Sequence, residues 1–156
     1  MNAPGSPYAG HGSLLDVGRR MIAGEIEPPP IARTIGFSMT AMGDGEATFE
    51  METDPARHGN PMGTVHGGIL CDLADGAMGM AFASTLADGE SFTTLELKIN
   101  YLKPVWRTHL VAHARVVKRG REVGLIECDV RDGDDALVAR LSSTCMVLRG
   151  ERAAGR

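Results

Sequence analysis

Residues 60–87 read NPMGTVHGGILCDLADGAMGMAFASTLA, and the only charged side chains between Gly67 and Ala87 are Asp72 and Asp75. Most other positions of this segment are apolar, which predicts one long helix that is buried over most of its surface. A carboxylate in such a helix is costly to desolvate unless it is paired or takes part in chemistry. We therefore expect the functional site along this helix.

The chain ahead of this helix is expected to form one short helix and two strands. Ser13 can cap a helix that ends near Gly24, and the three prolines at 28–30 then form a stiff connector that excludes helix and sheet alike. Strand-like segments follow at about 31–41 and 46–53, separated by a Gly-Asp-Gly turn.

Four more strands are expected after the long helix. Residues 94–101 alternate between polar and apolar and predict a half-buried strand, whose apolar face carries Leu95, Leu97, Ile99 and Tyr101. Turn-forming residues separate three further strand-like segments, at about 108–118, 122–131 and 136–148. This order predicts an α+β fold, in which a curved antiparallel sheet of about six strands wraps around one long central helix, with a short N-terminal helix beside it.

Composition and charge indicate which kinds of protein this chain can be. At 156 residues and 43% hydrophobic content, the chain is expected to be a single domain over 13–149 between flexible tails at 1–12 and 150–156. The net charge of −4 and the absence of a long basic run argue against nucleic acid as a partner. The N-terminus lacks a signal-peptide pattern, and the glycines and aspartates of the apolar segment argue against a membrane span. Three cysteines without metal-like spacing predict free thiols, so we expect a cytoplasmic protein without a metal site.

A motif at the start of the predicted helix is the most specific signal in the chain. Asn60 and Gly63 precede His66-Gly67-Gly68, and Asp75 stands eight positions after Gly67. This pattern resembles the hotdog-fold acyl-CoA thioesterases of the phenylacetate-degradation type, and the similarity covers residues 30–148. The resemblance implies a hotdog fold and the hydrolysis of an acyl-CoA thioester to a free acid and coenzyme A, without a cofactor.

The resemblance also implies which groups do the chemistry. The N–H of Gly67, with Gly68 beside it, would donate to the thioester oxygen, while Asp75 would attack the carbonyl or activate a water molecule. Elementary chemistry agrees, because a helix N-terminus offers free N–H groups and glycine lets a substrate approach closely. A thioester is reactive enough for an oxyanion donor and a carboxylate to suffice. From the residues alone, Asp75 could instead be a structural carboxylate, and Asp72 is interpreted as a surface or interface residue.

Four more residues are implied to assist. Asn60 and His66 would line and orient the thioester, and the hydroxyl of Thr93 or Thr94 would assist the water. Asn60 between Gly and Pro is also an ordinary turn residue, and His66 could simply cap the helix.

Spacing along the helix predicts a shared site. Eight residues place Asp75 about 12 Å from Gly67, so one carbonyl cannot touch both. If two such helices pack antiparallel across a two-fold axis, Asp75 of one chain approaches Gly67 of the other. We therefore expect a homodimer as the minimum active unit, and the resemblance adds that two hotdog dimers often associate as a tetramer.

The only dense basic cluster, Lys118, Arg119 and Arg121, is expected either to bind the phosphates of coenzyme A or to be a solvated hairpin tip.

The sequence leaves two other functions open. One is a non-catalytic acyl-CoA-binding hotdog module, which would have no need of Asp75 beside a thioester. The other is a hotdog dehydratase or hydratase, which the His-Gly-Gly motif with Asp75 fits less well.

Overall fold

The helices and strands follow one another in the predicted order, with two additional short helices. The computed structural model describes residue 8 and residues 12–154. The α-helices of this range are α1 (Leu14–Ile22), α2 (Pro30–Ile35), α3 (Pro55–His58) and α4 (Gly67–Ala83). The strands are β1 (Phe37–Gly43), β2 (Glu46–Glu52), β3 (Ser91–Tyr101), β4 (His109–Arg119), β5 (Val123–Asp132) and β6 (Leu137–Leu148).

All six strands join one antiparallel sheet in the order β1-β2-β4-β5-β6-β3. The chain leaves the sheet after β2, forms α4, and returns as β3 at the opposite edge. The sheet curves around α4, which contacts every strand. This arrangement confirms the predicted hotdog fold of the α+β class.

The apolar residues of α4 explain why the sheet encloses it. Six of them have no accessible surface, and they are Leu73, Ala74, Ala77, Met78, Ala81 and Phe82. Alternate residues of the central strands meet this face, because successive strand side chains point to opposite sides of a sheet; they include Leu110, Ala112, Ile126, Cys128 and Val130. Each large side chain buried in this way stabilises the fold by about 1.5–3 kcal/mol. The remaining stripe of α4, which includes Asp72 and Asp75, is not covered by the sheet.

Ser13 caps α1 as predicted, through a reciprocal pair of hydrogen bonds with Asp16. The strand expected from residue 31 is wrong, because residues 30–35 form α2. Pro30 occupies the first helical position, where a missing N–H costs nothing and the fixed φ suits a helix, so the three prolines do not exclude a helix. Gly36 ends α2 in the left-handed region at φ 96°, and β1 begins at the next residue.

The alternation predicted for β3 is interrupted by a bulge between Thr94 and Glu96. The extra residue shifts the phase, so Leu97 and Ile99 are partly buried whereas Leu95 is 53% exposed. The prediction that Leu95 shares their face is therefore wrong. The bulge therefore decides which side chains of the edge strand β3 face α4.

The expected tails lie mostly outside the described residues, which omit 1–7, 9–11 and the last two positions. Within the described part, Gly150–Arg152 form a short 3-10 helix. None of the helices described is long and apolar enough to cross a membrane.

Candidate functional site

The loop before α4 is held by the side chain of Asn60. Its Oδ1 accepts from the N–H groups of Met62 (2.9 Å) and Thr64 (3.2 Å), and its Nδ2 donates to Thr64 Oγ1 (2.8 Å). This is the hydrogen-bonding pattern of a turn-forming asparagine. Asn60 therefore shapes the loop that presents the N-terminus of α4, and one N–H of its carboxamide is left for another acceptor.

His66 caps α4, which is one of the two roles predicted for it. Its Nδ1 accepts from the N–H of Gly68 at 2.9 Å, and its carbonyl accepts from the N–H of Ile69. No acceptor for the N–H of Gly67 is found among the described residues. The first turn of α4 thus leaves the Gly67 N–H free, at the helix end where negative charge is stabilised.

His58 was not singled out by the sequence, yet it anchors this region from within the protein. It is buried, its Nδ1 accepts from the N–H of Asp54 and its Nε2 donates to the carbonyl of Ile35, each at 3.0 Å. Its own carbonyl accepts from the N–H of His66 at 2.7 Å. His58 therefore connects α2, α3 and the start of α4. Its spacing gives no metal or catalytic pattern that could have revealed this role.

Tyr101 is a second neighbour of the site that the sequence did not identify. A Cβ added to Gly67 would lie 2.6 Å from Tyr101 Oη, so only glycine allows this packing. Tyr101 Oη lies 3.5 Å from Cys71 Sγ, one helical turn beyond Gly67. The hydrogen bond with Cys71, together with desolvation, raises the pKa of Tyr101 to about 12.

Asp75 lies two turns along α4, on the stripe that the sheet leaves uncovered. Its Oδ1 accepts from Thr94 Oγ1 at 3.3 Å. Asp75 as a whole is exposed, but desolvation by the protein around its carboxylate raises its pKa. The Thr94 hydrogen bond lowers this pKa, and the negative charge of Asp72 raises it. No described cationic side chain forms an ion pair with Asp75. A carboxylate with a raised pKa and no cation beside it is suited to accepting a proton or attacking a carbonyl.

The bulge in β3 decides between the two candidate hydroxyls. Thr94 faces Asp75, whereas the adjacent Thr93 points to the opposite side of the sheet because side chains alternate along a strand. Strand alternation alone could not have made this choice, since it depends on where the bulge falls.

Asp75 and Thr94 border a largely apolar cavity of about 330 Å³. Its apolar wall comes from α1, from α2 and the prolines before it, from β1, β2 and β3, and from the second half of α4: Leu14, Val17, Met21, Pro28, Pro29, Ile31, Ala32, Phe37, Met39, Phe49, Gly76, Gly79, Met80 and Phe92. The other polar side chains lining it belong to Tyr8 and Ser38. Such a cavity is suited to an uncharged apolar group.

The motif residues before α4 border a different cavity, of about 520 Å³. It is lined by Asn60, Thr64, Val65, His66, Gly67, Gly68, Leu70, Tyr101, Leu102, Lys103, Pro104 and Val105. Within one chain, the structure therefore brings Asn60, His66, Gly67 and Gly68 together, and Asp75 with Thr94, but it does not join the two groups.

The three residues of the predicted basic cluster do not all face solvent. Lys118 and Arg121 are exposed around the β4–β5 turn. Arg119 is instead folded inward: it pairs with Glu90 at 3.4 Å and its guanidinium lies 5.2 Å from the ring centroid of Phe82. The side chain of Arg119 is only 23% exposed, so its contacts are structural. In the described part of the chain, no three His, Cys, Asp or Glu side chains are grouped as a metal site would require.

Comparison with known proteins gives consistent matches. Residues 62–139 match the family described as the Thioesterase superfamily. A protein of Saccharolobus solfataricus named as an esterase is 33% identical over 87 residues, 56% of this chain and 61% of its own length. A 1,4-dihydroxy-2-naphthoyl-CoA hydrolase of Listeria monocytogenes is 25% identical over 108 residues, covering 69% of this chain and 87% of the hydrolase.

A solved structure aligns over more of the chain. The phenylacetic acid degradation-related protein of Ralstonia eutropha is 34% identical with a TM-score of 0.74, and the alignment covers 83% of this chain and 98% of that protein. By contrast, this chain spans 61% of the Saccharolobus relative and 66% of a similarly named relative from Halobacterium salinarum.

Proposed function

The chain belongs to the thioesterase superfamily, and we propose that it hydrolyses acyl-CoA thioesters to a free carboxylic acid and coenzyme A. One observation carries the proposal: Asp75, held by Thr94 and without a cation partner, stands at the edge of an apolar cavity that can take an acyl group. The named activity of the Listeria relative on a CoA thioester supports coenzyme A as the carrier.

The proposed reaction begins with the acyl group in the apolar cavity and the thioester carbon beside Asp75. The carbonyl oxygen accepts from the free N–H of Gly67, which stabilises the negative charge that develops during attack. In one form Asp75 takes a proton from water as the water oxygen bonds to the carbonyl carbon; in the other the carboxylate itself attacks and water releases the acyl group. In both forms the carbon–sulfur bond breaks and the coenzyme A thiolate leaves and takes up a proton.

We further propose that each site is shared by two chains. The support is that Gly67 and Asp75 border different cavities of one chain, and that about 12 Å of helix separates them. An antiparallel pair of α4 helices across a two-fold axis would unite the two halves, with a dimer as the minimum active unit and a tetramer as the larger assembly. The exposed edge strand β3 and the uncovered stripe of α4 are the surfaces such a pair would use.

The proposed coenzyme A contacts are Lys118 and Arg121, because both basic side chains are exposed to solvent. Arg119 supports the same turn through its contacts with Glu90 and Phe82.

The test of function is hydrolysis of a panel of short, medium, long and aryl acyl-CoA substrates, followed by detection of the free thiol. Asp75→Asn should lower kcat by at least about a hundredfold while acyl-CoA binding persists. Asp72→Asn is the matched control, because it removes a carboxylate one turn away that does not line the cavity. Near-native kcat in Asp75→Asn would refute the assignment, and native protein that binds the panel without cleaving it would indicate a binding module.

The test of the shared site is complementation between two inactive chains. Asp75→Asn is one, and Gly67→Pro, which removes the N–H donor, is the other. Randomly mixed and refolded dimers should recover about a quarter of native activity, because half are mixed and each mixed dimer holds one intact site of two. Verified mixed dimers of folded chains without any recovery would show that each chain carries its own site.

A further inference from the structure

Methionine side chains form the part of the acyl cavity farther along α4. Met80 lies five residues after Asp75, about 7.5 Å along the helix axis, and both residues line the cavity. Met39 of β1 and Met21 of α1 line it as well. The cavity therefore runs along α4 from the reactive carboxylate to a wall of flexible thioether side chains.

Gly18 of α1 lies close to the ends of two of these methionines. A Cβ added to Gly18 would lie 3.3 Å from Met80 Cε, 3.4 Å from Met39 Cε and 2.1 Å from Met42 Sδ. The ends of three methionines thus converge on one buried glycine, and any side chain there would push at least one of them aside. A side chain at position 18 would therefore displace Met42 first and press on Met39 and Met80.

This wall is built largely outside the part of the chain that matches the family. The family match covers 62–139, whereas Gly18, Met21 and Met39 precede it. Met80 is the member of the wall that lies inside the matched region. Of the three methionines that line the cavity, Met21 and Met39 therefore lie outside the matched region that contains Asp75.

We propose that Met39 and Met80, backed by Gly18, set the maximum length of the acyl group that this chain hydrolyses. The proposal rests on the proposed thioesterase function. Methionine suits this role because its unbranched, polarizable side chain adapts to the end of an apolar group while still excluding extra atoms. An additional methylene that the wall cannot accommodate should lower kcat/KM by about 10-fold or more.

The same cavity indicates the chemical class of the acyl group. An engineered apolar cavity of about 150 Å³ holds one benzene molecule, and this cavity of about 330 Å³ is roughly twice as large. It can therefore take an aryl group with a short linker or a medium-length aliphatic chain. No described cationic side chain lines it, so an acyl group ending in a carboxylate would be desolvated without a partner and rejected.

The experiment measures kcat/KM for a series of saturated acyl-CoA substrates of increasing length, plus an aryl-acyl and a dicarboxylic acyl-CoA of matched size. Met80→Ala and Met39→Ala should each move the optimum to longer chains and raise the ratio of long-chain to short-chain kcat/KM by about 10-fold. Gly18→Ala should move the optimum to shorter chains. Met146→Ala is the matched control, because Met146 is a partly buried methionine outside the cavity, and its length profile should equal that of the native protein.

Each outcome has one meaning. Native protein that cleaves no acyl-CoA refutes the proposed function itself. Hydrolysis with an unchanged length profile in both folded alanine variants, or with equal loss at every length, refutes the methionine wall while leaving the function intact. Preferred cleavage of the dicarboxylic substrate refutes the assigned class. Melting temperatures identify a Gly18→Ala chain that fails to fold, and the two methionine variants then decide.

Discussion

Thr94 Oγ1 donates to Asp75 Oδ1 across 3.3 Å, between an edge strand and the central helix. A bulge immediately after Thr94 gives this threonine, rather than Thr93, the inward orientation. The carboxylate is thus oriented by a neutral donor and keeps one oxygen free of protein partners among the described residues.

Replacing Thr94 by Val should lower kcat by about 10- to 100-fold with little change in KM, since the orienting donor is lost while the cavity keeps its shape. The hydrogen bond lowers the pKa of Asp75, so its loss should also move the acidic limb of the pH–rate profile to higher pH. Thr94→Ser should restore both values because it keeps the hydroxyl. Thr93→Val is the control, and an equal effect at Thr93 would contradict the assignment of the bulge.

The raised pKa of Asp75 predicts opposite effects on activity and stability. Activity needs the ionised form, so it should fall as pH decreases through the raised pKa. The folded state favours the protonated form, so ionisation destabilises the fold above this pKa but not below the unfolded value near 3.8. Asp75→Asn should therefore melt at a higher temperature than the native protein at pH 7 and lose that advantage in acid. An unchanged melting temperature at both pH values would contradict the raised pKa of the carboxylate in the folded protein.

Removing the negative charge of Asp72 is a second test of what sets the pKa of Asp75. Because Asp72 raises the pKa of Asp75, Asp72→Asn should move the acidic limb of the pH–rate profile to lower pH, opposite to the effect of Thr94→Val. The plateau rate at higher pH should stay close to the native value. Two variants that shift the limb in the same direction would show that Asp75 is not the group being titrated.

Gly67→Ala should inactivate the protein through a steric clash rather than through loss of a donor. The new Cβ would lie 2.6 Å from Tyr101 Oη, so the helix start or the Tyr101 ring must move, although the N–H remains. Adding Tyr101→Ala should recover much of the lost activity by making room. A double-mutant cycle in kcat measures this coupling. Additive losses in the two variants would mean that the packing of Tyr101 on Gly67 has no part in shaping the site.

The basic residues should separate into two roles. Alanine at Lys118 and Arg121 together should raise KM for acyl-CoA and reduce its dependence on salt, while kcat and the melting temperature stay near native values. A small thioester without the nucleotide is the substrate control. Arg119→Ala should instead destabilise the fold by about 1–2 kcal/mol, because Glu90 loses a partner and Phe82 loses its stacked guanidinium. A KM effect from Arg119 alone, without destabilisation, would reverse the two roles.

The sequence by itself determined the type and order of the main helices and strands of this protein. The long apolar run after His66-Gly67-Gly68 predicted the central helix and its start, Ser13 predicted the cap of α1, and the turn residues predicted six strands in the observed order. These features depend on contacts between residues a few positions apart, or on the period of apolar residues, and both can be read from a linear chain. The motif with Asp75 likewise predicted the family that the comparisons confirm.

Only the tertiary structure decided the shape of the site, because that shape depends on contacts between segments distant in sequence. The bulge that turns Thr94 toward Asp75 is a matter of pairing between β3 and β6, and the inward turn of Arg119 depends on Glu90 and Phe82. The helix that begins at Pro30 could not be predicted from the sequence, because proline both begins and breaks helices. The methionine wall of the apolar cavity joins Met21 of α1, Met39 of β1 and Met80 of α4, and no local pattern encodes a surface that three separate elements assemble.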